Sequence, residues 1–260
     1  MIRSMYVLLP AAVMLAGCGP AVGGGGNTEL ASALNSTIAP FAILDLGSRT
    51  FAYHAEVADL ASNPAYRGNS LVFHRVQVGD RDALVSVFEV TQAQWQSISG
   101  SQPWVGVTAT LVPAPAPDQA ACNLDYDTTI ASLVAFALVN GARLDLPTSA
   151  EWTAACGASS GWGWGGSASL AQLQAAAVVH ETAGGTSGPR TVGTRSANAG
   201  GFYDMHGNVW EWTQPGNEIR GGSWHDSYWL SRSEAMPGAA QGLDSSVPHA
   251  LIGARLVLRP

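Results

Sequence analysis

Ser223, His225 and Asp226 stand close together and are the residue types of a hydrolytic triad. Sequence neighbours rarely make one, because the three groups must converge in space. The competing reading is a polar, exposed loop. Taken together, Ser223, His225, Asp226, Ser227, Tyr228 and Trp229 read better as a ligand-binding surface, where aromatic rings anchor and short polar groups adapt. The six histidines (54, 74, 180, 206, 225 and 249) show no metal-ligand spacing. All 12 basic residues are arginine, which excludes chemistry that needs a lysine amine, such as a Schiff base or a P-loop lysine. Cys122 and Cys156 would pair as a disulfide in an oxidising compartment. The alternative is two buried thiols, and spacing alone does not decide whether they lie within bridging distance.

These residues must be positioned by short elements, because no regular alternation of strands and helices runs through the chain. Phe41–Leu46 and Leu71–Val78 read as strands, and Ala83–Val90 is a further apolar run. Thr91 is an N-cap with Gln94 as its capping-box partner, and Thr148 stands in the same relation to Glu151, just after Pro147. The clearest helix is Thr128–Asn140. Its apolar face is Ile130, Leu133, Val134, Ala137 and Leu138, with Asp127 or Thr128 as cap and Gly141 as terminator. Leu170–Val179 is a further helical candidate. Residues 112–118, 161–165 and 184–201 read as loops. The class is α+β with little regular secondary structure, and loops this long in a compact domain are functional or ligand-stabilised as a rule.

At the N-terminus, Arg3 is followed by an uncharged apolar run, Met5–Leu15, and then by Leu15-Ala16-Gly17-Cys18. This resembles the lipobox of bacterial lipoproteins, in which the cysteine is lipidated and becomes the new N-terminus. The run is shorter than the roughly 20 residues that span a bilayer. The expected organisation is a signal peptide over 1–17, lipidated Cys18 with a flexible tether over 18–39, and one domain over 40–260. Location in the bacterial cell envelope follows, with the outer membrane favoured because Gly19, not Asp, follows the cysteine. A net charge of −7 argues against nucleic acid as a partner.

Four blocks in order carry a further resemblance: FEVTQAQW (88–95), RLDLPTSAEW (143–152), GFYDMHGNVWEWT (201–213) and RGGSW (220–224), with IGAR (252–255) as a weaker fifth. Together they resemble the formylglycine-generating enzyme, or sulfatase-modifying factor, family. That resemblance implies a compact fold related to C-type lectins, with Trp210, Trp212 and Trp224 packed in the core. The oxidases of that family hold copper(I) on two cysteines just after the GGS block. Here Asp226 stands in the first place, Ser231 falls near the second, and no cysteine follows Cys156, so no copper is expected. The iron-dependent branch needs a helical domain for which this chain has no room. The resemblance also implies a calcium site formed by Asp204, Gly207, Val209 and Glu211, two carboxylates and two backbone carbonyls. Some exported lipoproteins with this fold vary the segment between GGSW and the last block, a place that residues 225–251 occupy here. The favoured reading is a lipid-anchored binding module with a protein, peptide or glycan ligand. Its rivals are an enzyme of altered chemistry (hydrolytic or non-haem metal) in the same groove, and a structural envelope lipoprotein.

Overall fold

The computed structural model describes residues 39–111, 113–139, 141–157, 170–185, 187–214, 218–231 and 244–260. The expected signal peptide, Cys18 and nearly all of the tether lie outside the described residues, as do the 161–165 loop and positions 232–243 of the 225–251 segment.

Two sheets carry the domain. The larger has the order β2-β1-β3-β4-β9-β5, built from β1 (Phe41–Asp45), β2 (Thr50–His54), β3 (Ser70–Val78), β4 (Arg81–Ser86), β5 (Arg143–Asp145) and β9 (Val257–Arg259). Every pairing in it is antiparallel. Strand β1 alternates, burying Ala42 and Leu44. Strand β3 buries Leu71, Val72 and Phe73 in succession, as a strand covered on both faces must. The smaller sheet, β7-β6-β8, holds β6 (Trp210–Thr213) between β7 (Glu218–Arg220) and β8 (Ile252–Gly253).

The short helices begin where their caps dictate. In α1 (Gln92–Ser99) the Thr91 hydroxyl accepts from the Gln94 N–H at 3.2 Å and the Gln94 side chain accepts from the Thr91 N–H at 3.0 Å. Thr148 and Glu151 repeat this at α3 (Ser149–Cys156), and both helices stop at a left-handed glycine, Gly100 and Gly157.

Helix α2 departs from the sequence expectation. It spans Tyr126–Ala135, capped by Asp125, and ends at Phe136 rather than running to Gly141. Phe136 and Leu138 leave the helical path and enter the core, while Val134 is 76% exposed. The continuous apolar face read from spacing is therefore broken: the helix itself buries Thr129 and Leu133. Helix α4 covers Leu170–Ala176, shorter than the Leu170–Val179 expected. The principal core runs under both sheets and includes Trp95, Trp104, Trp210 and Trp212. A second cluster packs Trp152, Cys156, Phe202 and Met205 beneath α3.

Candidate functional site

Strand β6 and the chain just before it carry the GFYDMHGNVWEWT block, and the surroundings of its residues fix their roles. Glu211 is fully buried. Arg255 donates to it from Nε at 3.1 and 3.0 Å and from Nη2 at 2.8 Å, and Trp152 Nε1 donates to it at 2.6 Å. Arg255 also donates to the carbonyls of Ser86, Val87 and Tyr203. One guanidinium thus ties β4, the 203 turn and β6 together.

A second carboxylate, Glu89, faces the same centre. It accepts from the Val209 N–H at 3.0 Å and the Asn208 side chain at 2.5 Å. Burial, reinforced by Asp204 and Glu211 and opposed by Arg255, pushes its pKa well above the usual carboxylate range. Asp204 sits at φ 54 and accepts from the Gly193 N–H at 2.6 Å, and its other oxygen is buried without a partner. Burial raises its pKa to about 6.

Of the four residues expected to hold calcium, Glu211 has both carboxylate oxygens engaged, while Asp204 keeps one oxygen without a partner. The Arg255 guanidinium contacts both Glu211 oxygens, and the Trp152 indole donates to Oε2. Gly207, at φ 87, is packed so closely that an added Cβ would lie 2.1 Å from the Val178 carbonyl oxygen. Val209 is buried and gives its N–H to Glu89. Among the described residues no group of three His, Cys, Asp or Glu side chains has a metal-binding arrangement.

The expected disulfide is corrected. Cys122 and Cys156 are both buried, and no bridge joins them. They lie in different packing clusters, and burial pushes the Cys122 thiol up to about 12. Cys156 Sγ lies 3.7 Å from His206 Nε2, and His206 Nδ1 donates to the Ser231 carbonyl at 2.7 Å. Sequence reading missed this pair, as it missed Glu89, because the partners are distant in the chain and share no motif.

The 223–231 segment divides into a buried frame and an exposed edge. Ser223 is fully buried and donates to Asp226 Oδ2 at 2.5 Å, and Trp210 Nε1 donates to the same oxygen at 2.7 Å. His225 meets the Ser223 hydroxyl only through its backbone N–H, at 3.3 Å. No triad exists here, and Ser223 and Asp226 hold the turn rather than face a ligand. Asp226 and Ser231, expected in place of the oxidase cysteines, are both structural, since Ser231 is buried and donates to the Tyr228 carbonyl. Further ties come from His180 N–H to the Asp226 carbonyl at 2.9 Å and from Tyr228 N–H to Glu181 at 3.1 Å. Outward stand His225, Trp229 (48% exposed) and Leu230 (44%), with Ser227 and Tyr228 half-buried beside them. The Tyr228 and Trp229 rings are 4.8 Å apart.

An α+β domain with sparse regular structure, whose WEW strand is locked by an arginine from the C-terminal block, defines a class of protein. The sulfatase-modifying factor enzyme 1-like domain model matches residues 50–260, and the chain belongs to that family. Among solved structures it is similar to Treponema denticola variable protein 1 (19% identity, 74% of this chain and 96% of that one, TM-score 0.59). It is also similar to PvdO from Pseudomonas aeruginosa (19% identity, 79% and 89%, TM-score 0.54) and to CarF (20% identity, 72% and 94%, TM-score 0.51). At these identities the likeness is one of fold. A sequence search of curated proteins finds no match.

Proposed function

We propose that this chain is an exported, lipid-anchored binding module of the family, fixed to the cell envelope through Cys18. In this reading it presents the edge made by His225, Tyr228, Trp229 and Leu230 to a protein, peptide or glycan. The observation that carries the reading is the division of the 223–231 segment. Its polar groups are consumed in holding the backbone, while two large apolar side chains, Trp229 and Leu230, are left about half exposed side by side. A rigid frame under exposed aromatics lowers the ordering cost of binding. The apolar run ahead of Leu15-Ala16-Gly17-Cys18 supports export and lipidation. The absence of any cysteine after Cys156 supports a role other than copper oxidase chemistry.

The test is site-specific photocrosslinking on intact cells, with the crosslinking residue at position 229 or, as a control, at exposed Val134. A discrete adduct from 229 and none from 134 is expected, together with fatty-acid labelling that disappears in Cys18→Ala. Adducts of equal yield from both positions, or none from either, would remove the binding reading. Labelling that survives Cys18→Ala would remove the anchor.

A further inference from the structure

Arg67 closes a short 3-10 turn, Pro64–Arg67, and is 8% exposed. Its Nε donates to the Val192 carbonyl at 2.7 Å, and its Nη2 donates to the Ala61 carbonyl at 2.8 Å and lies 3.5 Å from the Gly193 carbonyl. The guanidinium carbon lies 4.8 Å from the Phe88 ring centre. Nη1 makes no hydrogen bond, and among the described residues no carboxylate comes within 4.0 Å of the guanidinium. The negative field it does feel comes from Asp204, which is separated from it by the Gly193 peptide. Gly193 is part of the device: at φ 69, an added Cβ would stand 2.4 Å from Phe88 and 2.7 Å from Arg67 Nη2. The backbone has been brought up against the arginine as closely as only glycine allows.

This arginine lines a cavity of about 330 Å³ together with Ser62, Asp118, Thr191, Gly193 and Thr194. Asp118 is half-buried, and its carboxylate has neither a hydrogen bond nor an ion pair among the described residues. Its backbone is fixed, since its carbonyl accepts from Val192 N–H at 3.1 Å and the next residue, Gln119, bridges to Thr191. One cavity therefore holds a cation and an anion that do not meet. A guanidinium this buried with no carboxylate in ion-pairing contact is costly, and proteins close such charges with a partner. A plain anion would satisfy Arg67 but be repelled by Asp118, and a plain cation would meet the reverse. A molecule carrying both charges satisfies both, with the Thr191 and Thr194 hydroxyls able to rotate to its remaining polar atoms. The volume is at the small end of ligand pockets, about 300–1,000 Å³.

We propose that this cavity binds a free α-amino acid, with the carboxylate on Arg67 Nη1 and the ammonium on Asp118, apart from the 223–231 edge. The test titrates the purified full chain with a panel of free α-amino acids, using acetate, phosphate and methylamine as controls of one charge sign, read by calorimetry and saturation-transfer NMR. At least one amino acid is expected to bind at least on the order of tenfold more tightly than any control. Asp118→Asn should weaken it by a similar factor and narrow its advantage over acetate. Thr194→Trp, at an exposed position on the rim, should abolish binding. Both variants are expected to keep the parent melting temperature, so that lost binding is not lost folding. The proposal is overturned if no amino acid binds in the millimolar range, if acetate or phosphate binds as tightly, or if the Thr194→Trp chain binds undiminished.

Discussion

Asp204 and Glu89 are carboxyl groups held in the interior beside Glu211, with Arg255 as the cation they share. Burial raises both pKa values, and the neighbouring carboxylates add to the shift against the opposing Arg255 guanidinium. For Asp204 the folded value is about 6 against an ordinary 3.8, so the group supports folding fully below 3.8 and loses that contribution as pH rises through about 6. Glu89 acts in the same direction. His74, lowered by burial, acts against them, since its contribution is present above 6.5 and lost as pH falls through its folded value. The parent melting curve mixes these terms, and a difference isolates one. Asp204→Asn cannot ionise, so its melting temperature minus that of the parent should climb as pH rises from 3.8 through about 6 and then level off. Scanning calorimetry of the two chains across this range makes the measurement, and parallel curves would show that Asp204 does not titrate with folding.

At the scale of the element, the 223–231 turn is held from below by Asp226, which takes Ser223 and Trp210 on one oxygen while its carbonyl takes His180. Asp226→Ala leaves a buried hydroxyl and an indole N–H without an acceptor, which costs roughly 1–3 kcal/mol. Trp229→Ala removes a ring that is half in water, and a change within about 0.5 kcal/mol is expected. Chemical denaturation should separate the two, and amide exchange should speed up at Tyr228 and Leu230 in the first variant only. Equal losses would mean that Trp229 is a core residue of the turn. The same scale shows what the sequence made legible. Thr91 with Gln94, and Thr148 with Glu151, were readable because a capping box is closed within four residues. The early end of α2 was not, because Phe136 leaves the helix for contacts set by the rest of the core. The fold was legible from the order of the motif blocks. The roles within them were less so: Glu211 read as a metal ligand, and the bonds it takes from Arg255, distant in sequence, could not be read from spacing. Ser223 and Asp226 read as ligand contacts until their mutual bond and the Trp210 indole turn them inward.

For the molecule as a whole, the decisive strand is the last one. Strand β9 lies between β4 and β5, pairing Leu258 with Leu84 on one side and with Leu144 on the other. Val257 and Leu258 are buried, and Arg259 forms an ion pair with Glu151, the residue that closes the α3 capping box. The large sheet is therefore completed only when the C-terminal block returns to residues far earlier in the chain. Such pairings carry a loop-closure cost before they contribute stability. Removing Val257–Pro260 should expose the facing edges of β4 and β5 and uncover the core beneath, so the truncated chain should show no cooperative melt. Arg259→Ala separates the ion pair from the strand. The pair is partly exposed and worth at most about 1 kcal/mol, so this variant should still melt in one step, slightly below the parent. If the truncated chain melted like Arg259→Ala, β9 would be a lid on a sheet already complete without it. If it fails to melt cooperatively while Arg259→Ala succeeds, then folding waits on the backbone pairing of the last strand, and the buried Glu211–Arg255 bond, four residues upstream of that strand's end, forms as part of the same closing step.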